Sequence, residues 1–128
     1  AASSGDYSKA ASSGDYSKAA SSGDYSKAAS SGDYSKAASS GNYSTAASSG
    51  NSSTAAAKGK DTIAMAVGRG CIVQAGENGC FASAYFDDKS NRHRILTAYV
   101  GEKGIKADTP YVIEVSDSGK ATWKMAVA

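Results

Sequence analysis

The nine residues AASSGDYSK occur four times in succession from residue 1, without a change. A chain that repeats at so short a period either stacks one small unit on the next or does not fold. Gly5 marks the phase. Glycine recurs at 14, 23, 32, 41, 50, 59 and 68, so the register runs on through two units that look unrelated, AAAKGKDTI and AMAVGRGCI, and ends at Ile72.

Comparing the eight units separates inside from outside. The first position is always Ala: Ala1, Ala10, Ala19, Ala28, Ala37, Ala46, Ala55 and Ala64. The third, from Ser3 onward, is Ser and later Ala57 and Ala66; the eighth, from Ser8 onward, is Ser and later Thr62 and Cys71. These positions take only small side chains and are expected to form an inward seam. The sixth, seventh and ninth accept charge, ring and hydroxyl alike, which predicts solvent. Strand alternation over YSKAAS gives the same division, because it sets Tyr, Lys and the second Ala on one face. SGD then reads as a turn, with Gly free to take a positive φ.

One strand and one turn do not close a coil, whereas two units do. The expectation is an all-β flattened β-solenoid with two repeats, or 18 residues, per coil. Four coils at the ladder spacing of ~4.8 Å make a rod on the order of 20 Å long. Its sheets must lie closer than the usual ~10 Å, with seryl hydroxyls bonding up and down the stack. The competing expectation is disorder, which Ser, Gly, Asp and Lys at low hydropathy favour. Against it stand the unbroken Ala register and the graded passage into DTIAMAVG.

From Val73 the pattern lengthens. GCFASAYFDD, HRILTAYVG, PYVIEVS and KATWKMAVA read as strands, with DKSN, GEKG and SDSG as turns. The predicted organisation is a nonapeptide solenoid over 1–72 and a small antiparallel β-meander over 73–128. Phe81, Tyr85, Ile95, Leu96, Tyr99, Val100, Val112, Val115, Trp123 and Met125 supply its apolar bulk. This cap is expected to pack on a last coil made apolar by Ile63, Met65, Val67 and Ile72.

A net charge of +2 gives no electrostatic case for nucleic acid, and no apolar run approaches 18 residues, so neither that partner nor membrane insertion is expected. His93, the single histidine, reads as a solvated loop residue. GRGC lacks the lysine of a phosphate loop. The row Asp6, Asp15, Asp24 and Asp33 resembles calcium-binding nonapeptide rolls only loosely, having one glycine before the acid where those have two. No catalytic residue, metal site or cofactor is expected. Cys71 and Cys80 are one repeat apart and would face each other across a coil, which allows either a disulfide or two buried thiols. The most suggestive surface feature is a tyrosine ladder, with Tyr7, Tyr25 and Tyr43 on one face and Tyr16 and Tyr34 on the other. Stacked exposed rings either bind glycans, surfaces or other copies, or only stabilise the ladder.

The units resemble those of a loose group of bacterial and prophage tandem-repeat proteins. In that group Ala-x-Ser/Thr-Gly-x-x-Ser recurs and the array ends in a short β domain with a stretch similar to GIKADTPYVI (104–113). The likeness covers most of the chain and implies no catalytic residues. Separately, DTIAMAVGRGCIVQAG (61–76) looks like the head repeats of trimeric autotransporter adhesins, left-handed β-rolls whose repeat is longer than nine residues. The expected role is a structural, self-assembling rod at a cell surface, in a filament or on a virion, although no signal sequence is visible in this chain. Its expected partner is itself, through the open strand edge of the first coil. The alternative is an extracellular binding module whose tyrosine face takes a surface glycan or host receptor.

Overall fold

The computed structural model describes residues 2–68 and 70–125. Every regular element among them is a strand: β1 Ala2–Ser3, β2 Lys9–Ser12, β3 Lys18–Ser21, β4 Lys27–Ser30, β5 Lys36–Ser40, β6 Thr45–Ser48, β7 Thr54–Lys58, β8 Ile63–Ala66, β9 Ile72–Gln74, β10 Cys80–Asp87, β11 Arg92–Tyr99, β12 Tyr111–Val115 and β13 Ala121–Met125. Odd and even strands separate into two sheets, ordered β1-β3-β5-β7-β9-β12-β13 and β11-β10-β8-β6-β4-β2. Within the repeats every pairing is parallel and in phase, as in Lys9↔Lys27 and Ala10↔Ala28, so one coil is 18 residues. The fold is a flattened β-solenoid of nine-residue units, two per coil.

The seam is where the register puts it. Ala19, Ala28, Ala37, Ala46, Ala55 and Ala64 are at most 2% exposed. Ser26, Ser35, Ser44, Ser53, Thr62 and Cys71 at the eighth position are equally buried, and Ser21, Ser30, Ser39 and Ser48 at the third nearly so. Ala10 is buried, while Ser3 and Ser8, in the end coil, are half-buried. Ala1 lies outside the described residues. The inward hydroxyls bond along the stack only in part. Ser8 and Ser26 Oγ donate to the carbonyls of Ser22 and Ser40 in the next coil and Ser53 Oγ to that of Gly32 in the preceding one, while Ser17, Ser35 and Ser44 Oγ turn back within their own coil to the carbonyls of Gly14, Gly32 and Gly41 at 2.7–2.9 Å.

The strand is shorter than YSKAAS. It begins at Lys, and the tyrosine belongs to the turn with a left-handed backbone, φ 64° at Tyr7 and 61° at Tyr16. The turn glycines are positive as well, and for a second reason. A Cβ on Gly41 would sit 2.3 Å from the carbonyl oxygen of Gly23, one coil earlier, so the coils approach too closely for any side chain there. Bonds between coils run on through the turns, with Tyr7 N donating to Asp24 O and Tyr25 N to Asn42 O, both at 2.9 Å.

The pairing pattern does not change at residue 72. β9 continues the odd sheet in parallel, with Ala55↔Val73, and the first half of β10 continues the even sheet, with Ala64↔Phe81. Only then does the chain reverse. The expected single meander is instead two antiparallel pairs on different sheets, β10 with β11 and β12 with β13, β12 being joined to β9 at Tyr111↔Val73. Between them the seam widens from alanine to aromatics. The Phe81 ring lies 5.4 Å from Tyr111 and meets Trp123 edge-on at 4.8 Å. Val73, Ala75 and Ala98 complete this core, with Val100 and Ile105 against it. Ile95, Tyr99, Val115 and Met125 were expected inside and are exposed. So are Ile63, Met65 and Val67, which occupy outward positions of the repeat and keep them despite their apolar side chains.

Candidate functional site

The tyrosines form two columns, one on each turn edge of the flattened coil rather than on its sheet faces. Tyr7, Tyr25 and Tyr43 stack at 5.1 Å between successive ring centroids, with planes 6–7° apart. Tyr16 and Tyr34 stack at 5.2 Å on the opposite edge. The rings are 47–72% exposed. A non-glycine residue in the left-handed region costs roughly 1–2 kcal/mol, and stacking returns about 0.5–1.5 kcal/mol. The turn itself does not need the ring, because Ser52 and Asp61 hold the same conformation at φ 58° and 57°.

Beside each column runs a row of acids that is already engaged. Asp6 Oδ1 accepts the backbone N–H of Asp24 at 3.1 Å, Asp24 that of Asn42 at 2.9 Å, and Asn42 that of Lys60 at 3.0 Å. On the other edge Asp15 does this for Asp33 and Asp33 for Asn51. The row is a capping ladder of the turns, and among the described residues no group of three or more His, Cys, Asp or Glu is gathered as for a metal ion.

The cysteines do not meet across the coil. Cys71 is inward and its Sγ lies 3.3 Å from the carbonyl of Gly50. Cys80 pairs with Ile63, at the outward ninth position, because the chain is one residue shorter between Val73 and Phe81 than in a full unit. No disulfide joins them. His93 is exposed on β11 and packs edge-on against Phe86 at 5.2 Å. In the nearby turn, Asp87 accepts from Ser90 Oγ at 2.7 Å and from Arg94 Nε at 2.8 Å. Those bonds, Ser90 first and Arg94 second, hold its carboxyl down to about 2.

The two ends of the rod present strand edges. β1 and β2 each pair on one side only, with β3 and β4. In the turns of this coil the N–H and carbonyl of Asp6 and Asp15 stand where those of Asp24 and Asp33 are bonded to the preceding coil. At the other end the outermost strands are β11 and β13, and Trp123 Nε1 donates across to the carbonyl of Thr97 at 3.2 Å. Comparisons with protein-family models, with curated proteins and with solved structures find no match to this chain.

Proposed function

We propose that the chain is a structural rod that assembles end to end, serving at a cell surface, in a filament or on a virion. The observation that carries this is the edge of the first coil. Every joint between coils uses the same bonds between residues 18 apart, so that edge offers an incoming strand what each inner coil offers its neighbour. The same edge is presented wherever an array of these units starts. Strand edges at both ends favour head-to-tail contact, which gives an open filament. Negative-stain micrographs and sedimentation at high concentration test the reading. Ser4 N–H stands at the edge where Ser22 N–H, one coil on, donates to Ser3 O at 3.0 Å. Filaments that disappear in Ser4→Pro, which removes that edge donor, support the reading. A monomer at all concentrations, or assembly indifferent to Ser4→Pro, refutes it.

The tyrosine columns favour a second role, a binding module for a surface glycan or host receptor. The ring occupies a backbone position that Ser52 fills without it. Replacing Tyr7, Tyr16, Tyr25, Tyr34 and Tyr43 by Ser should keep the coil and abolish glycan-array binding. An array on which the parent protein binds nothing counts against this role.

A further inference from the structure

The outer face of the even sheet carries three columns. One, beginning at each strand's first residue, is Lys9, Lys27, Thr45 and Ile63; the central one is Ala11, Ala29, Ala47 and Met65; the third is Ser13, Ser31, Ser49 and Val67. The central and third columns line an open trough of ≈ 560 Å³. Ile63, Met65 and Val67 are 40–47% exposed at its apolar end, and Tyr99 and Ile95 of β11 continue the outer columns at 57% and 65%. Five large apolar side chains thus lie exposed on one face. The odd sheet has a similar trough, but Lys58 stands there where Val67 stands here.

We infer that this face is the interface of a dimer of the chain, with two rods side by side, parallel, and related by a twofold axis running along the central column. The occupant follows from complementarity. A twofold axis parallel to the rod reverses the strand direction and keeps each coil at its own level. Met65 then meets Met65, Ile63 meets Val67, and Tyr99 meets Ile95. Lys9 and Lys27 face the far border of the partner, where Ser13 and Ser31 lead into Asp15 and Asp33. An antiparallel pair would invert the levels and set Lys9 on Ile63, the charged coils against the apolar end, which costs energy. The small central column lets the sheets come closer than the usual ~10 Å. A face this narrow buries on the order of 1,000 Å² in total, the small end of specific interfaces, so the dimer is a weak one.

The contact is independent of the end-to-end joint, and Ser4→Pro, which removes an edge donor on the odd sheet, separates the two. Sedimentation equilibrium of Ser4→Pro up to ~1 mM should give a dimer. Ala29→Glu, exposed in the central column, should weaken it at least ~tenfold, whereas Ala38→Glu, exposed on the opposite sheet, should leave it unchanged. Lys27→Glu should weaken the dimer and the double change Lys27→Glu/Ser31→Lys, with Ser31 exposed opposite Lys27, restore it. Orientation is read from Ala11→Cys, where mild oxidation should link the two introduced thiols of a dimer, as found by peptide mass. A monomer throughout, a trimer, a dimer indifferent to Ala29→Glu, or an Ala11→Cys dimer that does not cross-link overturns the inference.

Discussion

The Asp24 carboxylate caps the backbone N–H of Asn42, one coil further along the rod, at 2.9 Å. The rod is therefore joined on its outer edges by side chains as well as by strand ladders. Asn42 does the same for Lys60 at 3.0 Å, so the ladder needs an acceptor oxygen and not a charge. Asp24→Ala should cost about 0.5–1.5 kcal/mol in urea denaturation, while Asp24→Asn should be neutral or better, since it removes a like charge from beside Asp6. Equal loss in both variants would show that the carboxylate matters for another reason.

Gly14 and Gly41 hold the same place in the turn and differ in what lies behind them. Nothing stands within 4 Å of a Cβ built on Gly14, whereas one on Gly41 meets the carbonyl of Gly23 at 2.3 Å. Gly14→Ala should cost about 1–3 kcal/mol from backbone strain alone. Gly41→Ala should cost more, because two coils must move apart. Matching urea midpoints would contradict the close stacking of the turns.

Ser48 Oγ is buried without a hydrogen-bond partner, whereas Ser44 Oγ donates to Gly41 O at 2.9 Å. The later units carry Ala57 and Ala66 where Ser48 stands. Ser48→Ala should be neutral or stabilise by up to ~1 kcal/mol, and Ser44→Ala should destabilise by about 0.5–1.5 kcal/mol. The reverse order in thermal denaturation would overturn the assignment of these two hydroxyls.

The Asp87 carboxyl falls from 3.8 to about 2 on folding, so its bonds to Ser90 and Arg94 favour the folded turn. That contribution is complete above the unfolded value and is lost as pH falls through the folded one. An NMR titration should place the Asp87 midpoint near 2, and Arg94→Gln should raise it only part of the way, since the Ser90 bond remains. A midpoint of 3.8 in the parent protein would remove the cluster from the account.

The seam was legible in the sequence because a thin interior admits only small side chains, so the Ala register reports burial directly. The tyrosine turn was not, since nothing about Tyr7 announces a left-handed backbone, and the strand begins two residues after it. The apolarity of Ile63, Met65 and Val67 suggests a buried place, although the ninth and second positions of the unit already put Ile63 and Met65 outside. Cys80 departs from the cross-coil place its spacing predicts, because one residue is missing between Val73 and Phe81. The signal was there in Phe81, which takes the first position of the unit, where every earlier coil has Ala. The free strand edges of the cap depend on long-range pairing and left no local mark.

The central claim is an 18-residue coil whose alternate residues face a seam one side chain thick. Two neighbouring alanines on the odd sheet test it most directly. Ala37 is 1% exposed and Ala38 lies on the outer face. In urea denaturation, Ala37→Leu should lose ~1–3 kcal/mol or more, because the added isobutyl group has no room between the sheets. Ala38→Leu should stay within about 0.5 kcal/mol of the parent. Equal stability of the two variants, or a larger loss in Ala38→Leu, would contradict the coil.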